Sequence, residues 1–185
     1  MSATFASLDP AREASLVDGA RGDAEARRAA FDAIFVHFRG PVLALCRHVT
    51  NHPGDAEDAL QDCFLAVHGG LASFRGEARL ATWVYRIALR SALAVRARRR
   101  PSEPLENEPA QESHERHLLA RDETRRVARV MDRLAPEQRV VLSLFAVEEL
   151  SHREIADILG IPEGTVWSRL AAARRALTHA LRDGP

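Results

Sequence analysis

The 185-residue sequence predicts an all-α protein: two small helical domains joined by an acidic linker, the C-terminal one a helix-turn-helix. Three observations predict it. Apolar residues recur at helical spacing in both halves, and the apolar/polar alternation of strands is absent. Ala, Leu, Arg and Glu dominate, all good helix formers. A Pro-containing, Glu-rich segment with almost no apolar residues divides the chain and cannot bury a core.

In the first half, Phe31, Ile34, Phe35 and Phe38 lie on one helical face. Pro41 is expected to kink or restart that helix before Val42–Val49. Asn51-His52-Pro53-Gly54 breaks the chain, after which Asp55 is the expected cap of DAEDALQDCFLAVH. Ala56, Leu60, Cys63, Phe64 and Val67 form its buried face; Asp58, Gln61 and Asp62 stand together opposite. That acidic face reads either as a solvated, well-capped surface or as a docking site for a basic partner protein. His68-Gly69-Gly70 and the loop SFRGEARL lead to Thr82, the expected cap of WVYRIALRSALAVRARRR. This helix carries Arg86, Arg90, Arg96, Arg98, Arg99 and Arg100, and no acid occurs from 78 to 102. Six phosphate contacts would give a salt slope of about −5. Trp83 and Tyr85 lie beside the charge, where an aromatic could stack an unpaired base; Trp83 reads equally as core.

Residues 101–115 hold five Glu, no Arg, and Pro101, Pro104 and Pro109. In the polyproline regime such a tether reaches about 45 Å at ~3.1 Å per residue. The domains are therefore placed at 1–100 and 118–185, with 101–117 as linker.

In the second half, Val127, Val130, Met131 and Leu134 repeat the helical spacing, Ala135-Pro136 breaks it, and Val140, Val141, Leu144 and Phe145 begin the next apolar face. Ser151 and Glu154 have capping-box spacing. Ile155, Ile158 and Leu159 give that helix its buried side, Gly160 stands where a left-handed residue is needed, and Pro162 suits the first turn of the next helix. There Val166, Leu170, Ala173 and Leu177 face inward. Glu163, Thr165, Trp167, Ser168, Arg169, Arg174 and Arg175 remain, and no acid lies between Glu163 and Asp183. Such a helix suits the major groove: its N-terminal residues meet base edges, Arg pairs with guanine, Ser and Thr serve bases or phosphates, and Glu accepts from cytosine. A helical hairpin with a solvated basic face is the competing reading.

The whole chain has 26 basic residues, all Arg, and 26 acidic ones, with pI about 7.1. This excludes a globally basic nucleic-acid binder. The zero conceals segments of +3 (1–100), −5 (101–115) and +2 (116–185). Two cysteines, Cys46 and Cys63, are too few for a disulfide framework and fit a reducing compartment. MSATFASLDP lacks the pattern of a signal peptide, and uncharged stretches such as 63–74 are too short for a membrane span. A soluble, cytoplasmic protein is expected.

These residues resemble a known family. DAEDALQDCFLAVH, FRGEARLATWVYRIALR and the Arg run, followed by LAPEQRVVLSLFAVEELSHREIADILGIPEGTVWSRLAAARRAL, look like a bacterial RNA polymerase sigma factor of the extracytoplasmic-function (ECF) group. The likeness covers about 23–100 and 118–180. It implies binding to core RNA polymerase, through its β′ and β subunits, and to promoter DNA. Asp58, Gln61 and Asp62 would match the docking face for the β′ clamp helices. The loop near Ser73–Leu80 and the helix after it would match the part that melts and reads the −10 element, which here offers Arg75, Arg79, Trp83, Arg86, Arg90, Arg96 and Arg98. The second helix of the helix-turn-helix would match the −35 reader, and the linker would thread polymerase channels otherwise used by RNA. Family members are commonly held inactive by an anti-sigma factor. The sequence departs from the family pattern at Trp167 (often Lys or Arg), Ala172 (commonly Arg), Arg90 and Ala94 (usually Asn and Asp) and His68 (frequently Trp).

No enzyme, cofactor, metal or membrane insertion is expected, and the chain is expected to be a monomer. His114-Glu115 with His117 misses zinc-protease spacing, and Cys46, His48 and His52 make a poor ligand set. A stand-alone helix-turn-helix regulator is the alternative; the basic aromatic helix combined with a separate acidic face favours the sigma factor. A pure interaction protein is disfavoured by Arg surfaces on both halves.

Overall fold

A computed structural model describes residues 8–98, 131, 134–148 and 150–182, and every regular element among them is helical. In chain order these are α1 (Pro10–Arg21), α2 (Ala24–Thr50), α3 (Pro53–Leu71), α4 (Leu80–Arg98), α5 (Pro136–Glu148), α6 (His152–Leu159) and α7 (Glu163–Arg182). The linker, Arg99, Arg100, Val127, Val130 and the His114–His117 segment lie outside the described residues.

Helices α1–α4 form the first half, with α2 packed against the other three. Asp23 caps α2 by accepting from the Ala26 amide at 2.8 Å. Proline 41 does not restart the helix as expected: α2 runs unbroken through it. Phe38 and Val42, on either side, are completely buried, so tertiary packing holds the helix where one hydrogen bond is lost. By length and composition alone α2 could cross a membrane. Its apolar side is nevertheless the core, through Ile34, Phe38, Val42 and Leu45, while Arg28, Arg39 and Arg47 face outward.

Two helix starts differ from the sequence reading. His52, rather than Asp55, caps α3, its Nδ1 accepting from the Asp55 amide at 3.3 Å. Proline 53 supplies the preorganised first position, which shifts the start upstream and leaves Asp55 in the first turn. Likewise α4 begins at Leu80, whose amide donates to Glu13 Oε1 of α1, and Thr82 is buried in its first turn. A cap supplied by a residue 67 positions away leaves no local signature. Fully buried Ala56, Ala59, Ala88 and Ala92 keep side chains short where α3 and α4 pack together.

The second half meets in Val140, Val141 and Leu144 of α5, Ile155 and Ile158 of α6, and Val166, Leu170 and Ala173 of α7. Both arms of the Ser151–Glu154 capping box are present, and Gly160 sits in the left-handed region at φ 64°. Pro162 precedes α7 rather than opening it; its carbonyl accepts from the Thr165 amide at 2.9 Å. Leu177 is half-buried.

The halves touch. Helix α5 packs on α2, α6 packs on α4, and one apolar core runs through both. Arg139 of α5, only 7% exposed, donates to Asn51 Oδ1 at 3.0 Å and to the Leu134 carbonyl at 3.3 Å. Asn51 is itself the left-handed cap of α2, at φ 57°. Cys46 and Cys63 are free and buried, and burial pushes both thiols up to about 12.

Candidate nucleic-acid interface

Because Val166, Leu170 and Ala173 are spent on the core, the outward side of α7 is set by the residues between them. Glu163, Trp167, Ser168, Arg174 and Arg175 are exposed, and Thr165 and Arg169 are half-buried. The Ser168 hydroxyl donates back to the Thr165 carbonyl at 2.9 Å. Trp167 keeps 56% of its surface exposed yet is anchored. Its ring stacks on His152 of α6, with centroids 4.1 Å apart and planes 24° from parallel. His152 also stacks on Phe145 of α5 at 5.6 Å, and the Arg174 guanidinium lies 5.1 Å from the Phe145 ring centre. The sequence leaves Trp167 and Arg174 on the outer faces of the helix; the ladder joining them through His152 and Phe145 depends on how three helices converge.

The basic residues of the first half do not form the single surface that their run suggested. Arg75 and Arg90 are exposed. Arg79 donates to Glu154 Oε1 at 3.0 Å and lies 3.8 Å from Glu13. Arg86 Nε donates to the Asp157 carbonyl at 3.0 Å, Arg96 reaches the Val49 carbonyl at 3.4 Å, and Arg98 pairs with Asp62 at 3.5 Å. Arg79 stands just before α4, and the helix turns Arg86, Arg96 and Arg98 toward different neighbours, which a one-dimensional count of charge cannot register. Tyr85 is core, 1% exposed and edge-on to Phe38 at 6.0 Å, so it cannot stack a base. Trp83 is half-buried, 5.0 Å from Phe74, and its ring edge would come within 3.1 Å of a Cβ placed on Gly70.

Asp58, Gln61 and Asp62 do stand together on α3, where with Asp55, Val95 and Arg98 they line a polar groove. Gln61 also borders an apolar groove of about 700 Å³ between α2 and α3, lined by Phe31, Phe35, Leu60, Phe64, Leu65 and His68, with Asp32 and Glu57 beside them. Leu65 is 64% exposed there. The sequence places Phe31 and Phe35 on one helical face and Leu60 and Phe64 on a buried one, and does not show this groove; an exposed Leu65 on an otherwise amphipathic helix is the available signal. Glu154 is the other unforeseen participant. Burial disfavours its charge, but the Ser151 hydroxyl and amide together with Arg79 outweigh that and hold its carboxyl below the usual value. Among the described residues no His, Cys, Asp and Glu cluster could hold a metal.

Described residues that are helical in every regular element, with a capped helix-turn-helix behind a four-helix half, fit the class of two-part DNA-binding proteins. Comparison with known proteins makes this specific. Residues 34–101 match the Sigma-70 region 2 family and residues 124–177 match Sigma-70, region 4. The RNA polymerase sigma-H factor of Pseudomonas aeruginosa is 32% identical over 176 residues, covering 88% of this chain and 89% of its own. The ECF RNA polymerase sigma-E factor of Escherichia coli is 32% identical over 168 residues, covering 83% and 87%. The fold is shared with CnrH, solved in complex with the cytosolic domain of CnrY (TM-score 0.66, 24% identity, covering 93% of this chain and 98% of that one). It is shared also with RpoE of Bartonella quintana, solved with the anti-sigma factor NepR (TM-score 0.66, 20% identity, covering 84% and 98%). The chain belongs to the sigma-70 family, in its ECF group. It is a sigma factor, a non-enzymatic protein that binds core RNA polymerase and promoter DNA and directs transcription initiation.

Proposed function

We propose that this sigma factor divides its work between residues 1–100 and 118–185. The first part docks on the β′ subunit through Asp58, Gln61 and Asp62, and the neighbouring apolar groove takes the apolar side of the same partner. Exposed carboxylates beside exposed leucine suit helices that are both basic and amphipathic. Residues on α4 and the loop before it, namely Arg75, Arg79, Trp83, Arg86, Arg90, Arg96 and Arg98, engage the −10 element. Arg79 and Arg86 become available to it only once released from Glu154 and Asp157.

The second part reads the −35 element with the N-terminal half of α7: Glu163, Thr165, Trp167, Ser168 and Arg169, with Arg174 and Arg175 further along the helix toward phosphates. The observation that carries this assignment is the division of α7. Its apolar positions are buried against α5 and α6, while its polar, acid-free positions after Glu163 face outward from a rigid turn. The working place is the cytoplasm, where core polymerase meets the chromosome. A sequestering anti-sigma factor is a further partner, as the naming of the NepR complex suggests.

The test is run-off transcription by purified core polymerase on a promoter library, with and without this chain. Promoter-dependent transcripts that require the chain are expected; none, from folded protein, would overturn the assignment.

A further inference from the structure

Trp167 combines three properties seldom found together: it lies on the outward side of α7, it is 56% exposed, and its ring is fixed by a parallel stack. An indole left in water without purpose costs solubility and gains nothing for the core. One merely filling space would be covered, as Tyr85 is. The stack on His152, itself stacked on Phe145, covers one face of the ring while more than half of the residue stays open to solvent. The residue has no charge to offer a phosphate. In the major groove the one apolar feature is the C5-methyl group of thymine, recognised by apolar side chains.

We propose that Trp167 is a specificity determinant that recognises a thymine methyl group in the −35 element, and that His152 is its positioning residue. This rests on the assignment of α7 to the major groove and adds to it the base feature that one side chain reads. A ring already held in a stack has less freedom to lose on binding than a free one.

The experiment uses holoenzyme reconstituted from core polymerase and the full chain, selecting from promoters with a randomised −35 segment. Wild type is expected to select an invariant thymine that Trp167→Ala no longer selects, its preference there falling about 5- to 160-fold, the range for one mismatched pair. Replacing that thymine by uracil removes only the methyl group. It should weaken wild-type binding about fourfold, as for one buried methylene, and leave Trp167→Ala unaffected. The salt slope should be the same for both proteins, because no phosphate contact is lost. His152→Ala should lose part of the same preference and His152→Phe should restore it. Circular dichroism of each variant separates misfolding from lost recognition, and Trp167→Phe serves as the milder replacement if the alanine variant unfolds.

An invariant thymine indifferent to uracil, a uniform loss across all positions, or no thymine dependent on Trp167 overturns the proposal. Absence of any selected −35 sequence by folded wild-type holoenzyme would instead overturn the assignment of α7.

Discussion

Glu154 closes the capping box of α6 and, with the same carboxylate, accepts a hydrogen bond at 3.0 Å from Arg79, 75 positions earlier in the chain. One residue thus finishes a local helix start and ties the helix-turn-helix to the start of α4. Arg86 adds a second tie at the Asp157 carbonyl. Elements centred about 25 base pairs apart lie roughly 85 Å apart along a duplex at ~3.4 Å per pair. If α4 meets the −10 element and α7 the −35 element, as proposed, helices in contact cannot reach both, and promoter binding then requires these ties to part.

Glu154→Gln keeps an acceptor for the Ser151 amide, since Gln also serves in capping boxes, but removes the charge facing Arg79. Arg79 is 40% exposed, so global stability should change by less than about 1 kcal/mol. The population of separated halves should nevertheless rise, seen as a larger radius of gyration in X-ray scattering of the free protein. An unchanged scattering profile would show that the apolar contacts alone hold the halves together.

Double charge reversal, Asp58→Arg with Asp62→Arg, should weaken core-polymerase binding by roughly two orders of magnitude, as like charges set against a basic partner cost several kcal/mol. Asp58 is exposed, and among the described residues Asp62 pairs with the solvent-facing Arg98 alone, so the melting temperature should hardly move. Fluorescence anisotropy with core polymerase reads the first effect and thermal denaturation the second.

His37 supplies a pH dependence. Burial, helped by the nearby Arg12 charge, lowers its pKa below 6.5 in the folded chain. The unfolded chain therefore takes up the proton first as pH falls, and folding stability drops below about pH 6.5 until the folded-state pKa is passed. Denaturant midpoints measured from pH 7.5 to 5 should show that decline, and His37→Gln should flatten it. Equal slopes in both proteins would place the decline elsewhere.

Gly160→Ala tests the turn. No atom would touch the added Cβ, so the expected loss of about 1–2 kcal/mol comes wholly from the left-handed backbone at φ 64°. Urea denaturation should find it. A loss well under that range would mean the turn relaxes to a right-handed geometry.

By itself the sequence determined whatever depends on neighbours along the chain. The capping box, the glycine turn and the inward faces of α2, α3 and α7 follow from spacings of three and four residues, because a helix brings those positions together. Trp167 and the Asp58, Gln61 and Asp62 face were legible as outward residues for the same reason. Tertiary structure alone decided what depends on partners far along the chain. It buried Tyr85 against Phe38, carried α2 through Pro41, capped α4 with Glu13, and drew Arg79, Arg86, Arg96 and Arg98 to four different neighbours. It also stacked Trp167 on His152 and buried Arg139 against the end of α2. The physical reason is common to all of these. Periodicity states which side of a helix is turned inward, whereas the contacts a side chain makes are settled only when another helix arrives there.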